Sequence, residues 1–117
     1  MLHIAMVVET SFELRFREGA EVPHRAPDLL LFRNDKLVKT LKGYPLYDED
    51  RRTGKRGRLI RYDYRWLGST SYPDGGYEAR VSAPEGQARL DFRLEYHERT
   101  RLKRERALEG MEQDRTR

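Results

Sequence analysis

Arginine and lysine chemistry is concentrated in one stretch of this 117-residue chain. Residues 51–65 carry Arg51, Arg52, Lys55, Arg56, Arg58, Arg61 and Arg65 against Asp63 alone, a local charge of +6 within a total of +4. The chain has 19 Arg and 5 Lys, so most of its cations are planar guanidinium groups, which pair with carboxylates and phosphates through two parallel hydrogen bonds. Downstream, Tyr62, Tyr64 and Trp66 alternate with Arg61, Asp63 and Arg65. Two readings of those aromatics stand side by side. They can stack on bases while the arginines hold phosphates, or they can all point inward as core, leaving the arginines as a wet face and a loop. Either way Arg51, Arg52, Lys55, Arg56, Arg58 and Arg61 are the candidate partner-binding residues, and the partner they imply is anionic.

Other reactive groups lack the company they need. His3, His24 and His97 are far apart, with no second histidine at ligand spacing, so no metal site is expected of them. Asp48-Glu49-Asp50 offers hard oxygen ligands but lacks the alternate spacing and the glycine of a calcium loop, and reads as a solvated loop. Thr53-Gly54-Lys55 lacks the upstream glycine of a phosphate-binding loop. Ser11, Ser69, Ser71 and Ser82 have no nucleophile-elbow context. With zero cysteines, a disulfide framework, a Cys-ligated zinc or iron–sulfur centre and a thiol nucleophile are all excluded. The expectation is a protein with no catalytic, cofactor-binding or metal residues and no small-molecule substrate.

What must position the cations is a set of strands. Apolar residues alternate with polar ones in Phe12 to Arg17, in Arg58 to Trp66, in Tyr77 to Val81 and, most cleanly, in Ala88 to Tyr96. Successive side chains on a strand point to opposite faces, so each segment can bury one face and wet the other, as antiparallel sheets require. Ile4 to Val8 reads as a first or edge strand. Leu29 to Phe32 and Leu37 to Leu41 read as a hairpin turning at Asn34-Asp35, which tolerates positive φ. Pro73-Asp74-Gly75-Gly76 and Pro84-Glu85-Gly86 are further turns, and Gly43-Tyr44-Pro45 ends the hairpin. Six or seven strands at this spacing predict an all-β sandwich or barrel. The expected core is Phe12, Leu14, Phe16, Ile60, Tyr62, Tyr64, Trp66, Tyr77, Val81, Leu90, Phe92 and Leu94.

The pattern breaks at residue 97. Residues 98–117 are rich in helix formers, but Leu102, Ala107, Leu108 and Met111 are too sparse for a core-facing stripe. A short charged helix fraying after Gly110, or a disordered tail, is expected there, with residues 1–97 forming the one domain. No apolar run is long enough to span a membrane, and the N-terminal residues lack the features of a cleaved leader, which implies synthesis in the cytoplasm.

Residues 12–83 resemble the immunoglobulin-like repeat of the flagellar hook-capping protein. Phe12 to Phe16 is similar to its opening strand, and Leu31 to Leu41 to its hairpin. Trp66-Leu67-Gly68 stands where that repeat has Trp-Asp-Gly, and Gly76 to Ala83 is similar to its last strand. Leu67 replaces the motif's Asp, Asp35-Lys36 replaces its turn glycine, and Tyr44 to Gly57 enters as a long basic loop. The resemblance implies an antiparallel immunoglobulin-like sandwich with a structural or adhesive role and no catalytic residues. The leading functional expectation is therefore a non-enzymatic assembly module, of a virion, appendage or multi-protein complex, that binds a protein partner or itself. A strand edge, Ile4 to Val8 or Ala88 to Tyr96, can add to a partner's sheet. The alternatives are a nucleic-acid-binding protein using residues 51–61, and an inhibitor or regulatory subunit presenting the same loop to an acidic enzyme surface.

Overall fold

Alternation becomes two faced sheets in the computed structural model, which describes residues 2–8, 10–17, 23, 25–84 and 86–115, with side chains apart from those of residues 8 and 112–115. The elements are β1 (Leu2–Val8), β2 (Ser11–Phe16), β3 (Leu29–Arg33), β4 (Lys36–Leu41), β5 (Tyr44–Glu49), β6 (Arg56–Arg65), a 3₁₀ turn (Ser69–Ser71), β7 (Gly75–Ala83), β8 (Gly86–Leu94) and α1 (Tyr96–Arg115). One antiparallel sheet has the order β1-β2-β6-β5 and the other β4-β3-β7-β8. Four local hairpins thus alternate between the sheets. The pairs β2–β6 and β3–β7 stitch each sheet together.

Register explains which residues are inside. Phe12 lies opposite Tyr64 and Leu14 opposite Tyr62, while Leu29 faces Val81 and Tyr77 faces Phe92. These residues are buried, and with Trp66 they meet between the sheets. Phe12 packs edge-on to Phe92 at 5.1 Å, and Trp66 packs against Tyr72, Tyr77 and Phe92. The sheets come closest along β1 and β8, so the two strands expected to offer free edges lie beside one another. The outlying edges are β5 and β4. Lysines on β4 and Pro45 on β5 make both poor templates for further pairing.

The expected core holds with one correction. Phe16 and Leu90 are partly buried against it, but Ile60 is 48% exposed. Leu46 pairs with Arg61 and the next residue, Tyr47, pairs with Leu59. Ile60 is therefore the extra residue of a β-bulge, which breaks the period of two. Leu59 packs against the core in its place.

The strand count is also corrected, to eight among the described residues. Tyr44 to Gly57 is not an inserted loop: its first half is the edge strand β5, where a proline is tolerated because one side needs no ladder donor. The Asn34-Asp35 turn takes the expected form, with φ of 50° and 62°. At the C-terminus the helix starts at Tyr96 and runs through Gly110 to Arg115. It is exposed all round over residues 96–111 apart from Thr100. This projection gives a radius of gyration of 19.4 Å, against about 13 Å for a compact chain of this length. Among the described residues no helix is long and apolar enough to cross a membrane.

Candidate partner-binding site

The candidate cations are organised by a projecting hairpin. Strand β2 pairs with β6 only over Arg61 to Arg65, while β5 pairs with β6 from Asp63 down to Arg56. The β5–β6 ribbon therefore extends past the end of β2 as a two-stranded arm. Its turn is fixed by its own backbone: Asp50 N–H donates to the Lys55 carbonyl at 3.0 Å, and Gly54 N–H to the Asp50 carbonyl at 2.7 Å. The Asp50 carboxylate accepts the Arg52 N–H at 2.9 Å, and Thr53 Oγ1 accepts the Lys55 N–H at 3.3 Å. Gly54 takes φ +66°, a conformation a side chain would resist. At Gly57 a Cβ would sit 2.8 Å from the Asp48 carbonyl oxygen, so the strands can close only around a glycine.

This frame displays five of the six expected residues. Arg51, Arg52 and Lys55 stand exposed on the turn, and Arg56 and Arg58 follow on β6. Arg51, Arg52, Lys55 and Arg58 make no ion pair among the described residues, and neither does Arg56. The Arg56 guanidinium instead lies over the Tyr47 ring, 3.7 Å from its centroid. Tyr47 was not singled out in the sequence, because it sits in a stretch read as loop. Small-molecule sites are concave clefts of about 300–1,000 Å³; the recess at the arm, lined by Tyr47, Asp48, Glu49, Gly54 and Arg56, measures ≈ 270 Å³ and is open. Asp48-Glu49-Asp50 forms the strand end and the turn, and no metal-holding group of acids or histidines occurs among the described residues.

Arg61 is engaged elsewhere. It is 25% exposed on the outer face of its sheet, where its Nε lies 2.8 Å from Asp63 Oδ1 and 3.2 Å from Glu13 Oε1. The hydrogen bond to Asp63 leads, against desolvation, in raising its pKa above the usual arginine value. Glu13, 8% exposed, also accepts from Arg15 at 2.7 Å. The other sheet repeats the device: Arg80 lies directly opposite Arg89, and the Glu78 carboxylate accepts from both. Those two hydrogen bonds, Arg80's first, hold Glu78 below the ordinary carboxylate range. Arg80 also covers the Phe32 ring.

The aromatics are resolved in favour of the core. Tyr62, Tyr64 and Trp66 are buried, so they offer no stacking platform. The Tyr62 and Tyr64 hydroxyls donate to the carbonyls of Pro23 and Pro27, tying the β2–β3 connection to the sheet. Burial, chiefly, pushes both phenols above the ordinary tyrosine value. Trp66 Nε1 is buried without an acceptor among the described residues. His3 and His97 are exposed at separate places, and His24 lies outside the described residues. Compared with protein-family models, with curated proteins and with solved structures, the chain matches none.

Proposed function

We propose that the protein is a non-enzymatic immunoglobulin-like assembly module that uses the β5–β6 arm to hold an acidic protein partner. The observation that carries this reading is a contrast in pairing. Arg15, Arg61, Arg80 and Arg89 on the sheet faces are paired with carboxylates of this chain, while Arg51, Arg52, Lys55, Arg56 and Arg58 on the ordered arm form no ion pair among the described residues. An unpaired guanidinium on a pre-shaped turn loses little entropy on meeting a carboxylate.

The immunoglobulin-like assignment is supported by strand order. β1-β2-β6-β5 against β4-β3-β7-β8 follows the A-B-E-D and C′-C-F-G arrangement of such domains. A second support is Tyr77, at the start of β7, whose hydroxyl donates to the Pro73 carbonyl four residues upstream at 2.6 Å, in the manner of a tyrosine corner. Trp66 departs from the pattern, since it follows β6 instead of lying on the third strand. The hook-cap resemblance rests on sequence motifs and suggests the kind of assembly, an appendage or virion part.

A second reading, nucleic-acid binding, is favoured by one feature: a two-stranded ribbon fits a major groove. Asp48, Glu49 and Asp50 on the same ribbon weigh against it, because a protein surface can offer cations to them between its carboxylates and a uniformly charged phosphate backbone cannot. A photo-crosslinking residue at Thr53 separates the readings in native extract. The expected result is a protein adduct that is lost when Arg51, Arg52, Lys55, Arg56 and Arg58 are neutralised. An adduct to nucleic acid alone, or a protein adduct indifferent to those changes, overturns the proposal.

A further inference from the structure

Chain geometry places α1 at the far end of the molecule from the arm. β6 starts at the arm with Arg56 and runs ten residues to Arg65, roughly 33 Å of strand. Beyond it lie Trp66 and the 3₁₀ turn, and then Asp74. The Asp74 carboxylate accepts the backbone N–H groups of His97 at 3.1 Å and Glu98 at 2.8 Å, capping the first turn of α1. Arg33 in turn reaches the Tyr77 hydroxyl at 3.3 Å and the Asp74 carbonyl at 3.5 Å, which steadies that turn. The helix therefore leaves from a braced mount at the end opposite the arm, along a molecule 64 Å in its longest dimension.

The helix has the wrong surface for apolar docking. Leu102, Leu108 and Met111 are exposed but do not form one stripe. Its charges are better ordered. Residues 99–106 hold Arg99, Arg101, Lys103, Arg104 and Arg106 against Glu105. Arg101 pairs with Glu105 at 2.7 Å, while Lys103, Arg104 and Arg106 meet no acid among the described residues. Lys103 and Arg106, three residues apart, share a face, and Arg104 flanks it on one side.

We infer that α1 is a second contact for an acidic protein surface, so that the molecule bridges two acidic partners, one at each end. This rests on the reading of the arm as an acidic-partner contact and adds to it a second, independent end. Carboxylates are the complementary chemistry for Lys103, Arg104 and Arg106. Glu98, Glu105 and Glu109 on the same helix make a protein of mixed charge the better fit than a uniformly charged phosphate backbone.

Bead bridging tests this with the full chain. Beads coated with poly-L-glutamate are mixed with protein at physiological salt, and bound protein and bead aggregation are read separately. Wild type is expected to bind and to aggregate the beads. The K103Q/R104Q/R106Q variant is expected to bind through the arm but to lose at least ten-fold in aggregation, with its helical circular dichroism retained. If that variant aggregates beads as well as wild type, the bridging inference fails while the arm reading stands. If the arm-neutralised variant binds and aggregates like wild type, the arm reading itself fails. Stronger aggregation of beads bearing duplex DNA at the same salt overturns the choice of a protein partner.

Discussion

The sheet faces and the β5–β6 arm use the same side chain to opposite ends. On each face two arginines sit directly across neighbouring strands, Arg15 opposite Arg61 and Arg80 opposite Arg89. Such a pairing would repel, but a carboxylate two residues away in the strand lies between them: Glu78 accepts hydrogen bonds from both Arg80 and Arg89, and Glu13 accepts from Arg15 while forming an ion pair with Arg61. On the arm the only carboxylate in the turn, Asp50, is committed to the backbone N–H of Arg52. Composition alone cannot separate these uses. What distinguishes a structural arginine from an available one is whether the fold returns a carboxylate to it.

Substitutions can break that contrast at graded depth. The largest loss is expected at the core both regions depend on: Trp66→Ala should cost about 3–5 kcal/mol in urea unfolding. Trp66→Phe should cost less, because it removes a buried N–H that has no acceptor among the described residues along with part of the ring volume. Next comes Glu13→Gln, which leaves Arg15 and Arg61 facing each other and should cost about 1–3 kcal/mol. An unchanged midpoint would show that the face network does not hold the sheet.

A smaller, local effect is expected from the helix mount. Desolvation alone would raise the Asp74 pKa, but the N–H groups of Glu98 and His97 outweigh it and leave it below the ordinary 3.8. Because the folded-state value is depressed, the cap's contribution is complete above that ordinary value and disappears as pH falls through the lower folded one. Helical ellipticity should drop in that acid window in wild type. In Asp74→Asn that pH-dependent step should be missing. The smallest stability effect is expected on the arm, where neutralising Arg51, Arg52, Lys55, Arg56 and Arg58 should shift stability by no more than about 0.5 kcal/mol per residue.

Much of this fold was legible because a half-buried strand writes its two faces into the sequence. Phe12, Leu14, Tyr62, Tyr64, Phe92 and Leu94 alternate without a break and are buried as expected. Ile60 was misplaced because a bulge leaves no composition signature; it appears only when two strands are paired. β5 was missed because Pro45 and three consecutive acids resemble a loop, and only an edge position makes them compatible with a strand. The site was legible as a charge run, but its division was not. Asp63, two residues on, is the one local sign that Arg61 differs from Arg58; its second partner, Glu13, comes from a strand 48 positions earlier and is brought alongside by the β2–β6 register. The Asp74 cap was hidden for the same reason, since it lies 23 positions before His97.

The central claim is that arm arginines bind and face arginines hold the fold. A crossed measurement of two variants, five-fold arm neutralisation and Arg15→Gln with Arg89→Gln, tests it most directly. Each is scored for retention on immobilised poly-L-glutamate at physiological salt and for thermal midpoint. The account expects the arm variant to lose retention with its midpoint unchanged, and the face variant to lose midpoint while its retention holds. The face variant removes two charges and the arm variant five, so a loss of retention in proportion to the charge removed would show that the column reads net charge alone, and would contradict the assignment of the arm as the contact surface.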